Sequence, residues 1–197
     1  MTITSPVTRF VVRVLGWIAL AFAVWGLVPA IGSLLVWPAG QLAAVVAQAA
    51  FGDLLKTVTQ GDGVVNFVTT LHGATVGESV VSVPVDARLY ASGMPLFAAL
   101  TLAARQAHGA RTLAIGYAVL LPVVAWGVIA EFLKNVAITA GPGITSQTGF
   151  TAGEREAIAF AFQLGSLILP TVVPAIVWVL THRTFVLRTI AAAPRAA

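Results

Sequence analysis

The chain has 197 residues, of which 58% are hydrophobic and 9% charged, with a formal net charge of +4. A soluble domain carries about 25% charged residues, so this composition excludes an ordinary water-soluble fold and points to a membrane protein. The eleven Lys and Arg residues are too scattered for a nucleic-acid-binding stripe, and the lack of cysteine excludes disulfides, Cys-ligated zinc and a thiol nucleophile.

A membrane-crossing helix needs about 20 mostly apolar residues. Residues 14–37 carry no charge and meet this, with Arg9 and Arg13 ahead of them. A signal peptide competes, with Ala21-Phe22-Ala23 as its small-residue cleavage pattern. The apolar run continues well past that point, which favours a retained anchor. From 38 to 56 the pattern softens, and the segment reads as an interfacial amphipathic helix or as a continuation of the first span.

Residues 60–88 change character. "GDG" at 61–63 is a turn signal. "VVNFVTTL" (64–71) and "VVSVPV" (80–85) are short, β-branched and roughly alternating, with "HGATVGE" between them. They read as a small β-hairpin insert outside the membrane. An isolated hairpin is marginal in water, so it should pack on the helices or on a partner.

The second span is expected over 89–107. Its core, "LYASGMPLFAALTLAA", reaches only about 24 Å against a hydrocarbon thickness of about 30 Å. Arg105 can snorkel to extend it. A third span is expected over 112–137, kinked at Pro122. "GPGITSQTGF" then breaks the chain, and Thr151 with Glu154 forms the pattern of a capping box. The fourth span covers 154–180, and a basic tail follows, expected to fray.

Charge placement orders these spans. With the N-terminus inside, the inner segments hold Arg9, Arg13, Arg105, Arg111, Arg183, Arg188 and Arg195 and no acid. Every acid falls outside: Asp53, Asp62, Glu78, Asp86, Glu131, Glu154 and Glu156. The positive-inside rule is then met at every inner segment, and dropping the short second span would break it. The fold class expected is an all-α integral membrane protein, a single membrane domain with four transmembrane helices, N-in and C-in, and a β-hairpin insert between the first two.

The polar residues of the third and fourth spans form the one candidate site. Glu131, Lys134 and Asn135 sit about 28 Å of helix beyond Thr112, at the outer interface. There Glu131 and Lys134 read as an exposed i,i+3 ion pair at a helix end, worth little. A sharper reading joins them with Arg155 and Glu156 in a polar cluster at the mouth of the bundle. Gln163 lies deeper, where a lone Gln usually serves as interhelical glue.

Chemistry-bearing motifs are absent. There is no GxSxG elbow, HExxH, Walker A or dinucleotide fingerprint. "GPG" at 141–143 is a helix breaker. His72, His108 and His182 are isolated, with no metal-ligand spacing, and no acid falls at mid-membrane depth as a proton-coupled transporter would need. No catalytic residue, cofactor or metal is expected.

Three blocks carry a resemblance: "PVDARLYASGMPL" (84–96), "LPVVAWGVIAEFLKNVAITAGP" (121–142) and "REAIAFAFQLGSLILPTVVPAIVW" (155–178). With the basic first anchor and the extracytoplasmic insert, they resemble the bacterial exosortase H-associated membrane proteins. That family is named for occurring beside exosortase H, a membrane cysteine transpeptidase that processes sorting-tailed exported proteins. The cysteine-free chain is not the exosortase itself. The resemblance implies an accessory protein of the inner membrane with exosortase H as partner, and it brings no functional residues. The alternative is a membrane enzyme or a channel or transporter subunit using the outer-face polar residues. A water-filled pocket converging on them would favour it, and divergent side chains would favour the accessory reading.

Overall fold

The computed structural model describes residues 6–73, 80–105 and 108–191. Positions 74–78 of the "HGATVGE" stretch, the 106–107 end of the expected second span and the last six residues lie outside them. The architecture is mostly helical, with one small antiparallel sheet.

The first apolar stretch is two helices, which corrects the single helix expected over 14–37. Helix α1 covers Pro6–Leu27 and α2 covers Pro29–Phe51. Val28 between them leaves the helical region, at φ −123° and ψ 77°. The cause is Pro29, which disfavours helical backbone at the residue before it and fits the first position of the next helix. The helix α2 does not fold back along α1. It packs instead on the later helix α4 and the first strand, while α1 packs on the later helix α3.

The insert is a three-stranded sheet rather than a hairpin. Strands β1 (Leu55–Gly61), β2 (Val64–His72) and β3 (Val80–Asp86) pair antiparallel in that order. The expected hairpin survives as β2 and β3, with Val65 opposite Val85 and Phe67 opposite Val83. The "GDG" turn joins β1 to β2, with Asp62 and Gly63 both at positive φ. Val65, Phe67, Leu71, Val83 and Val85 face inward and are buried. The sheet therefore lies as a lid on α2 and α4, with the rings of Phe67 and Phe132 stacked at 4.4 Å. A spaced row of small residues on α2 (Ala39, Gly40, Ala43, Ala47) lets these layers approach. A Cβ on Gly40 would strike the Gln60 side chain.

The second span expected over 89–107 is only partly helical. A 3-10 turn, Ala87–Tyr90, precedes α3, Gly93–Ala104. Twelve residues reach about 18 Å, short of a bilayer core of about 30 Å. The turn continues the path, with Ala87, Tyr90 and Ala91 buried in protein. Irregular backbone is tolerated at membrane depth when it is enclosed this way.

The third helix, α4, covers Gly109–Lys134, with Pro122 inside it, and ends in a π turn over Asn135–Thr139. A four-residue helix α5 (Pro142–Thr145) fills the break. Then α6 (Ala152–Gln163), a π turn at Leu164–Ile168 and α7 (Leu169–Thr181) form one long rod in place of the span expected at 154–180. Its start has the expected capping box, Thr151 with Glu154. The π turn shifts the hydrogen-bond ladder, and the indole of Trp126 on α4 donates to the Ala161 carbonyl at 3.1 Å beside it. The segment expected to fray is helical over Arg183–Ala191, as α8.

Among the described residues, four helical stretches are long and apolar enough to cross a membrane: Val7–Leu27, Pro29–Leu54, Gly109–Thr139 and Ala152–Thr181. The number matches expectation, but α2 takes the place in this set that the sequence gives to 89–107. At one end of the bundle Phe10 of α1 stacks on Trp178 of α7 at 5.8 Å and meets Phe185 of α8 at 5.1 Å. Arg9, Arg13, Arg105, Arg111 and Arg183 belong to the helix ends gathered there. The sheet and Glu131 belong to the other end, Glu131 about 33 Å along α4 from Gly109.

Candidate functional site

The six residues singled out from sequence do not form one site. Glu131 is half-buried on α4, and its Oε2 accepts a 2.6 Å hydrogen bond from the hydroxyl of Tyr90. Lys134, one turn on, turns away from it. Its ammonium lies 4.5 Å from the centre of the Phe162 ring on α6, a cation–π contact. Among the described residues the one ion pair is Arg88 with Asp86, so the expected Glu131–Lys134 pair is not made. Asn135 is half-buried where the π turn begins, and its carbonyl accepts from the Ala140 N–H.

Arg155 reaches back over the α5 break and donates to the Thr145 carbonyl at 3.5 Å. Glu156 and Gln163 are exposed. Gln163, expected as glue between helices, has its side chain on the surface of the bundle. The cluster is thus dispersed over separate partners: a phenol, a ring face, a backbone carbonyl and the protein surface. Among the described residues no group of three His, Asp or Glu side chains is placed to hold a metal ion.

Sequence reasoning missed a tighter polar junction on the lid. The Asp86 carboxylate caps the 3-10 turn by accepting from the Arg88 N–H at 2.9 Å. It also takes the Arg88 guanidinium on both oxygens, with Nη2 at 2.7 Å from Oδ2. Burial pushes this carboxyl upward, but the Arg88 hydrogen bonds and charge outweigh it and hold the group below its ordinary value. The Arg88 stem lies against Gly63 and Gly32, so a side chain at either would crowd it. The Ala87 N–H donates to the Gly63 carbonyl at 2.9 Å. One Asp-x-Arg unit therefore ties the β1–β2 turn, the end of β3 and the start of α2 together. The signal in sequence was the "VDAR" spacing inside the first of the three resemblance blocks.

Two cavities open along the described residues, and the first borders this junction. One, of about 450 Å³, is lined by Ser33, Trp37, Asp62, Gly63 and Arg88 among others. The other, of about 490 Å³, is an apolar groove open on one side, walled by α1, α2, α3 and α4. Neither includes any of the six candidate residues.

The model of the family "Exosortase H-associated membrane protein" matches residues 4–185. That is nearly the whole chain, and the protein belongs to this family. No curated protein and no solved structure matches it.

Proposed function

We propose that this exosortase H-associated membrane protein is a non-enzymatic accessory subunit that binds its exosortase in the cytoplasmic membrane and helps present or stabilise exported substrates outside it. The observation that carries the reading is the dispersal of the polar residues. Catalysis needs a nucleophile, base or oxyanion donors converging on one point. Here Glu131 is engaged by Tyr90, Lys134 by Phe162 and Arg155 by a backbone carbonyl.

The same reading places both termini in the cytoplasm. Its support is the gathering of five arginines at one end of the bundle, with Asp53, Asp62, Asp86, Glu131, Glu154 and Glu156 on segments toward the other. The sheet then lies outside, where exported substrates arrive. Its outer face is polar, with Thr57, Thr59, Thr70 and Ser82 exposed.

Affinity purification of the full chain from its native membranes tests this. Stoichiometric recovery of exosortase H is expected. Purification without it, with exosortase H present in those membranes, would overturn the accessory reading. So would a hydrolytic or transpeptidase activity of the purified chain alone.

A further inference from the structure

We propose that the apolar groove between α1, α3 and α4 is a binding site for one anionic phospholipid. Its acyl chain would fill the groove, and its phosphate would sit among Arg13, Arg105 and Arg111.

The groove is walled by Trp17 and Trp25 of α1, Leu35 of α2, Phe97 of α3, and Ala114 and Tyr117 of α4. Polar side-chain atoms in this lining are confined to the two indole N–H groups and the Tyr117 hydroxyl, and the hydroxyl is already used, donating to the Leu35 carbonyl at 2.8 Å. What remains is a dry hydrocarbon wall. Its volume is about 490 Å³. An apolar cavity of ~150 Å³ holds a benzene, so this groove holds on the order of twenty carbons, the scale of one acyl chain. A transmembrane helix about 30 Å long and about 10 Å across displaces several times more, and does not fit inside.

Charge specifies the other half of the ligand. Each of three groove-lining residues has an arginine one helical turn nearer the same end of the bundle. Arg13 precedes Trp17 by four on α1, Arg105 follows Leu102 by three at the end of α3, and Arg111 precedes Ala114 by three on α4. Because α3 runs opposite to α1 and α4, the two directions of offset lead to one level. Arg105 and Arg111 are exposed and Arg13 half-buried, its Nε donating to the Arg9 carbonyl at 3.2 Å, and among the described residues none has an acidic partner within ion-pair distance. Arginine is the preferred partner of phosphate oxygens, and basic pockets between membrane helices suit anionic headgroups. A neutral lipid would leave the arginine ring unpaired.

The inference borrows only the arginine-end geometry, not the exosortase partnership. It is tested on the chain alone in nanodiscs of dioleoyl-phosphatidylcholine with added dioleoyl-phosphatidylglycerol. Native mass spectrometry is expected to find one phosphatidylglycerol retained per chain, in preference to phosphatidylcholine. Replacing Arg13, Arg105 and Arg111 together by Gln should weaken retention at least tenfold. Filling the groove with Ala114→Phe should weaken it comparably, although the arginines remain. Both variants should melt as the parent does in pure phosphatidylcholine, which separates lost binding from lost folding. Equal retention of the two lipids would overturn the proposal. Retention untouched by Ala114→Phe would remove the chain from the groove, and equally tight binding of glycerol phosphate would make the site one for free phosphate. A cysteine at Leu20 that cross-links to a protein helix in native membranes would give the groove a protein occupant instead.

Discussion

The Tyr90 hydroxyl donates to the Glu131 carboxylate at 2.6 Å, joining the turn after the sheet to α4 across 41 positions of sequence. Tyr90 is 5% exposed, and its ring lies against Gly127, one turn before Glu131. The bond therefore fixes the height at which the lid and α3 attach to α4. It also answers why an acid is placed near the end of an apolar helix: its partner is the phenol, not the lysine three residues on.

Tyr90→Phe should destabilise the detergent-solubilised protein by about 1–3 kcal/mol, because a half-buried carboxylate loses a charge-assisted donor. Glu131→Gln keeps an acceptor and should cost less. A thermodynamic cycle decides the pairing. Tyr90 and Glu131 should couple by about 1 kcal/mol or more, whereas Glu131→Gln and Lys134→Gln should be additive within about 0.5 kcal/mol. Strong coupling between Glu131 and Lys134 would restore the ion pair.

Acid should loosen the junction at Arg88. The Asp86 carboxyl is held below its ordinary value of 3.8, so the folded state binds its proton less readily than the unfolded state. Its contribution is complete above the unfolded value and is lost as pH falls through the folded one, below about pH 4. The pair is partly exposed, so the loss should be about 1 kcal/mol or less. Cleavage by pepsin near 84–89 should rise in that window. An Asp86→Asn variant should show the raised cleavage at pH 4–5, where the parent is still protected.

Close helix approach depends on two glycines of α4. A Cβ on Gly116 would enter the ring of Phe97, and one on Gly127 the ring of Tyr90. Both rings are buried and cannot swing out. Gly116→Ala and Gly127→Ala should each lower stability by about 1–3 kcal/mol, the range for overpacking a filled interior. Gly109→Ala, where a Cβ meets nothing within 4 Å, is the matched control and should be near neutral.

Much of this was written in local sequence, and what was not has identifiable causes. β2 and β3 were legible because their inward residues alternate cleanly, as in Val65, Phe67, Val83 and Val85. β1 was hidden by a bulge: its register shifts between Leu55 and Thr57, which breaks the alternation just after an apolar helix. The elbow at Val28 had its signal in Pro29, masked by the uninterrupted hydrophobicity on both sides. The position of Glu131 near the end of α4 was legible from the length of the apolar run, but its partner lies 41 residues away, and no spacing rule reaches that far. Lys134 was read by its nearest opposite charge, whereas the ring it covers belongs to the neighbouring helix.

Orientation is the last prediction, and the geometry sharpens how to test it. Phe132 of α4 stacks on Phe67 of the sheet, and it lies 23 residues from Gly109, or about 35 Å of helix. That exceeds the hydrocarbon thickness of about 30 Å. On this reading the sheet and the start of α4 face opposite sides of the bilayer, and the only segment between them, the 3-10 turn with α3, carries the crossing that separates them. The basic residues choose the side: Arg9, Arg13, Arg105, Arg111 and Arg183 should be cytoplasmic. Since the chain has no cysteine, single-cysteine variants report without background. A cysteine replacing exposed Thr59 on β1 should react with a membrane-impermeant maleimide in intact spheroplasts. One replacing exposed Ala110 at the start of α4 should react only after the membrane is opened. The reverse pattern would invert the topology, and equal labelling of both before lysis would show that α4 does not cross.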